Sequence, residues 1–169
     1  ESDGGAFASR IAHYECELAV VIGRQGKHIA RARAIDHVAG YTVANDYAIR
    51  NFLEPYYRPN LRVKSRDGCT ALGPWPVPRD EVPAPMALQL STHVNGRLVQ
   101  EGNTRDMIPD VASLIEYLSG FMTLSPGDVI VEASSGNTAL GLGMMAVLGG
   151  YRCKVVVRFC ADGSEHASI

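Results

Sequence analysis

No stretch of this 169-residue chain approaches the roughly 20 consecutive apolar residues that a membrane helix needs. The most apolar runs, at 18–22 and 140–148, are far shorter, so no membrane partner is expected. An excess of one charge is also missing. Sixteen Lys+Arg against 18 Asp+Glu leave a net charge of -2, which argues against nucleic acid and against an anionic membrane surface. Cysteine is sparse: Cys16, Cys69, Cys153 and Cys160 form no CxxC pair and lack the density of a secreted disulfide scaffold. The opening ESDGGAFASR lacks the basic-then-apolar order of a signal peptide. A cytoplasmic location is the expectation. With 46% hydrophobic and 20% charged residues, and no repeat or low-complexity tract, the chain can bury a core, and disorder, collagen and coiled coil are excluded. Its length suits one domain, or one domain with a further fragment.

Residues 14–22 alternate and then become continuously apolar, the pattern of a strand entering a core. A second strand is predicted at 40–44. Asn45-Asp46 after it can accept from the free amides of a first helical turn, which predicts a helix over 47–53 that must stop before Pro55. Seven of the nine prolines fall between Pro55 and Pro85, so that stretch is expected to be irregular, neither helix nor central strand. Asn95-Gly96 between 87–94 and 97–101 predicts a type I′ hairpin. Val111, Leu114, Ile115 and Leu118 have amphipathic helical spacing, closed by Gly120. Beyond Ser125-Pro126-Gly127, a strand at 128–132, the loop SSGNT, a helix at 139–148 and a strand at 154–159 read as a βαβ unit, and the last ten residues as patternless.

Glu15 and Glu17 lie two apart on the first strand and leave one face together with His13. Side by side they repel unless a cation lies between them, and Asp46 could add a third oxygen. Three carboxylates without cysteine suit Mg²⁺, Mn²⁺ or Ca²⁺ better than zinc. The residues alone leave a solvated strand face open as the alternative. Arg50, four residues after Asp46, could hold a substrate carboxylate with its fork or simply form a surface ion pair. Lys64 could stabilise developing enolate charge or be a solvated loop lysine.

The blocks HYECELAVVIGR, AGYTVANDYAIRNF, NLRVKSRDGCT, VNGRLVQEGNTRDMI and LIEYLSGFMTLSPGDVI, in that order over residues 11–130, resemble the fumarylacetoacetate hydrolase family, most of all its isomerase/decarboxylase branch in aromatic catabolism. The resemblance implies Glu15, Glu17 and Asp46 as metal ligands, Arg50 as the arginine that contacts substrate, and Lys64 as the lysine facing the reacting carbonyl. It implies an α+β, mostly β fold, a mixed sheet rolled into a β-sandwich or barrel, and a homodimer. It further implies Mg²⁺ or Mn²⁺ acting on a small 2-oxo or 2-hydroxy-dienoic dicarboxylic acid by isomerisation, decarboxylation or C–C hydrolysis. A His-x-x-Glu lid and a TGTP loop usual in the family are not found in the chain, so low activity is expected.

Ser135, Gly136, Asn137 and Thr138, with GYRCKVVV after them, resemble instead the fold-type II pyridoxal-phosphate enzymes such as cysteine synthase. No lysine lies between Met86 and Cys153 to form that family's aldimine, so the loop is expected to cap a helix and not to hold the cofactor. The organisation expected is a fumarylacetoacetate hydrolase-like catalytic domain over 1–130 and a βαβ-like segment over 131–169, either joined near 126–130 as a composite of two fragments or a diverged C-terminal extension whose SGNT is only a tight turn and helix cap. A non-catalytic composite that keeps fold and metal, and a pyridoxal-phosphate enzyme, are the alternative functions.

Overall fold

The computed structural model describes residues 12–49, 61–133, 153–159 and 165–168. In chain order its strands are β1 (Ala12–His13), β2 (Cys16–Ile22), β3 (Val38–Asp46), β4 (Ala48–Ile49), β5 (Thr70–Pro78), β6 (Gln89–Val94), β7 (Arg97–Asn103), β8 (Val129–Ala133), β9 (Cys153–Phe159) and β10 (Glu165–Ser168). The α-helices are α1 (Leu61–Lys64) and α2 (Val111–Phe121). Short 3₁₀ turns connect several elements. The described chain is mostly β.

One sheet has the order β5-β3-β2-β8, a second β10-β9-β6-β7, and β1 pairs with β4. The apolar run of β2 is explained by its central place, because a strand covered on both faces has no polar side to show. Leu18, Val20 and Ile22 of β2 and Tyr41 and Val43 of β3 share one core with Leu88, Leu90, Val111 and Ile115. Each fully buried side chain of that size contributes about 1.5–3 kcal/mol.

The hairpin at Asn95-Gly96 forms as the sequence predicts, with φ of 51° and 80° at the two turn residues. Helix α2 also forms and runs through Gly120 to Phe121, with Val111, Ile115 and Ser119 buried. The buried Ser119 hydroxyl accepts from Ile29 N at 2.9 Å, which fastens the β2–β3 connection to the helix.

Several expectations are corrected. Residues 48 and 49 are strand and not helix, since β4 pairs Ala12↔Ile49 and His13↔Ala48. The supposed cap residues are used elsewhere: Asn45 Oδ1 accepts from Glu15 N at 3.2 Å, and the Asp46 carboxylate accepts from Lys64. Residues 50–60 of the proline-rich stretch lie outside the described residues, and its later part contains strand β5. Pro74, Pro76 and Pro78 alternate along it, so their missing N–H groups fall on one side, and only β3 pairs with it among the described residues. β5 approaches so closely at Gly40 that a Cβ there would lie 2.3 Å from the Val77 carbonyl oxygen.

Every described strand pair is antiparallel, so a mixed sheet is not found among the described residues. The βαβ expectation fails for the same reason: β8 pairs with β2 and β9 with β6, in different sheets, whereas that unit needs two parallel strands in one sheet. The supposedly patternless end contains β10, paired antiparallel with β9. The SSGNT loop and the helix expected at 139–148 lie outside the described residues.

Asp110 caps α2 by accepting from Ser113 N at 2.7 Å and also pairs with Arg31. Arg31 first, and Ser113 after it, hold the Asp110 carboxyl down at about 2. Since that lies below the ordinary carboxylate value, the capping contribution is complete above about pH 4 and is lost as pH falls towards 2. Asp110→Ala should therefore cost about 1 kcal/mol at neutral pH and progressively less below pH 4. Denaturant titrations at several pH values measure this, and a cost independent of pH would contradict it.

Candidate metal centre

The site is built where β2 begins and β3 ends. In the antiparallel register Glu17 lies opposite Ala44 and Cys16 opposite Asn45. Continuing the pairing by one residue, Asp46 N donates to Glu15 O at 3.0 Å. Alternation then sends the Glu15 and Glu17 side chains to one face, while the Cys16 thiol leaves on the other and reaches Ser91 O at 3.8 Å. Asp46 enters from the neighbouring strand. One carboxylate oxygen from each of Glu15, Glu17 and Asp46 lies within 4.8 Å of the other two. Glu17 is the most enclosed of the three, 5% exposed.

Like charges at that separation repel by about 3–4 kcal/mol per pair at the effective dielectric of a protein surface. Positive charge must therefore be near. Lys64, the last residue of α1, supplies it: its ammonium donates to Glu15 Oε2 at 2.7 Å and to Asp46 Oδ2 at 2.5 Å. Burial opposes the charged lysine, but the hydrogen bonds and attraction to Asp46 and Glu15 outweigh it and raise its pKa above 10.5. Three carboxylates and one ammonium leave two negative charges, which matches a divalent cation. The all-oxygen donor set fits a hard ion.

Of the residues singled out in the sequence, the structure thus brings Glu15, Glu17, Asp46 and Lys64 together. Lys64 is helical and not in an irregular loop, and it contacts two of the acidic groups directly. Arg50 lies outside the described residues, and the short helix that would have placed it beside Asp46 is replaced by β4 as far as Ile49. Two further residues were missed. Asn45 accepts from Glu15 N, and Gln100 Oε1 accepts from Cys16 N at 3.1 Å. Both stand inside the quoted blocks, but only the folded chain shows what they touch.

The chain belongs to the fumarylacetoacetate hydrolase family: it matches the family described as fumarylacetoacetate (FAA) hydrolase C-terminal over residues 5–150. Among curated relatives, a 4-hydroxyphenylacetate degradation bifunctional isomerase/decarboxylase of Salmonella dublin is 60% identical over 122 residues, 72% of this chain and 28% of that protein. A maleylpyruvate hydrolase of Aquipseudomonas alcaligenes is 43% identical over 121 residues, 72% of this chain and 40% of that protein. The chain thus spans less than half the length of these relatives. Among solved structures, fumarylpyruvate hydrolase from Pseudomonas aeruginosa in complex with Mn²⁺ and pyruvate matches with a TM-score of 0.80 and 30% identity, over 96% of this chain and 66% of that one. The family match continues across residues 126–130 and the SGNT loop to residue 150 and so gives no support to a pyridoxal-phosphate fragment in the tail.

Lys64 is about one-third exposed, so its removal should cost less than the ~3–5 kcal/mol of breaking a fully buried pair. Without added metal, Lys64→Met is expected to lower unfolding free energy by about 1–3 kcal/mol. The raised pKa means that this contribution is complete below 10.5 and is lost only as pH rises through the higher folded value. A denaturation midpoint equal to that of the wild type at pH 7 would show that the contacts contribute nothing.

Proposed function

We propose that the chain carries the divalent-metal site of an enzyme acting on a small 2-oxo or 2-hydroxy-dienoic dicarboxylic acid, as isomerase/decarboxylase or C–C hydrolase in aromatic catabolism. The convergence of Glu15, Glu17 and Asp46 around a space that Lys64 only partly neutralises carries this reading. The named chemistry of the relatives and the Mn²⁺ and pyruvate in one of them support it.

Glu15, Glu17 and Asp46 would hold Mg²⁺ or Mn²⁺, which when bound supplies stabilisation of negative charge developing on a carbonyl oxygen. Lys64 is a fixed ammonium beside the same carboxylates and can donate to a substrate oxygen as charge builds there. Arg50 is proposed as the fork for a substrate carboxylate, on the family resemblance of the NDYAIR block. Closure of the sheets into the family's barrel, a homodimer and a cytoplasmic location belong to the same proposal. A region up to about residue 130 that carries the site, with the remainder as a separate segment, stays part of it as an organisational reading, although β8 spans that boundary.

The test uses a simple 2-oxo dicarboxylic acid, oxaloacetate. The chain should bind one Mn²⁺, measured from loss of the free-ion EPR signal, and only with the ion present should it release CO₂ from oxaloacetate faster than the same solution without protein. Glu17→Gln, equal in shape but one charge poorer, should weaken Mn²⁺ binding at least tenfold. Absence of Mn²⁺ binding, or protein-dependent acceleration of decarboxylation that persists in EDTA, would reject the proposal.

A further inference from the structure

The spacing of the Glu15 and Glu17 carboxylates depends on the orientation of the peptide group between them, at Cys16. That group lies one residue before the β2–β8 pairing, whose described register starts at Glu17↔Ala133. Its amide hydrogen is taken from the other sheet: Gln100 Oε1 accepts from Cys16 N at 3.1 Å and, with the same oxygen, from the Thr92 hydroxyl at 3.1 Å. Thr92 is completely buried and lies opposite Gln100 in the β6–β7 ladder, so the glutamine is held from behind while it holds the glutamate segment in front. Tyr14 adds a second tie to the same strand, its hydroxyl donating to Val99 O at 3.4 Å.

We propose that Gln100 is a positioning residue for the metal centre: by fixing the Cys16 peptide it sets the distance between the Glu15 and Glu17 carboxylates. The inference rests on the reading of those carboxylates as metal ligands. Groups that orient metal ligands without touching the ion typically contribute 10- to 100-fold in metal affinity. Gln100 is uncharged, so its replacement by a neutral residue alters ligand geometry without altering the charge that attracts the ion.

The test measures Mn²⁺ affinity by EPR and melting temperature without metal for the wild type, Gln100→Met and Thr104→Val. Gln100→Met keeps length and loses the acceptor, and it should bind Mn²⁺ at least tenfold more weakly. Thr104→Val removes a buried hydroxyl that accepts from Leu88 N at 2.9 Å and donates to Pro85 O at 2.7 Å, apart from the Gln100 contacts, and it should lower the melting temperature while leaving Mn²⁺ affinity within twofold of the wild type. Should Gln100→Met not fold, Gln100→Asn, polar but one carbon too short to reach Cys16, is expected to show the same weakening. Wild-type affinity in a Gln100 variant with a lowered melting temperature would reduce the residue to a structural role and overturn the proposal. Equal weakening by Thr104→Val would overturn it as well, since any loss of stability would then weaken ion binding. A wild-type chain that binds no Mn²⁺ would instead reject the metal reading itself.

Discussion

Backbone hydrogen bonds between β2 and β3 put Glu17 opposite Ala44, Cys16 opposite Asn45 and Glu15 beside Asp46, and the acidic site takes its shape from that register. Side chains alternate with a period of two, so a slip of one residue would send Glu15 and Glu17 into the space now filled by Cys16 and Leu18. The apolar faces prevent the slip. Leu18, Val20 and Ile22 are at most 2% exposed, and moving them out of the core they fill would forfeit part of the about 1.5–3 kcal/mol that burial of each contributes. The core thereby specifies the site without contributing an atom to it.

Electrostatics act in the opposite direction. Three carboxylates gathered at the end of a sheet oppose the register that gathers them, and Lys64 from α1 reduces the repulsion by bridging Glu15 and Asp46. The remaining two negative charges give the fold a reason to attract a divalent ion. Folding and metal affinity are coupled at this point, because each added cation relieves a cost that packing has imposed.

Local patterns were legible in the sequence. The apolar run at 18–22 reads as a strand entering a core, Asn95-Gly96 as a hairpin turn, and the spacing of Val111, Ile115 and Leu118 as a helix face. Each needs only neighbouring residues to be recognised. Asn45-Asp46 misled for a physical reason: the same short polar side chains that cap helices are spent here on Glu15 N and Lys64, partners that sequence distance conceals. The C-terminal βαβ pattern misled likewise, because β8 and β9 find their partners in β2 and β6, far away in the chain. For the site, the pair Glu15 and Glu17 was visible from spacing, and Asp46 from its place at the end of the next strand as well as from the family resemblance. Gln100 was not, since it acts across 84 residues.

The central claim is that Glu15, Glu17 and Asp46 converge on one divalent ion. A crystal structure of the chain grown with Mn²⁺, with anomalous diffraction recorded at the manganese edge, tests it most directly. The expected result is a single strong peak with an oxygen of each of the three carboxylates at about 2.0–2.6 Å. A manganese peak elsewhere, with Lys64 still bridging Glu15 and Asp46 and no ion among the three, would contradict it.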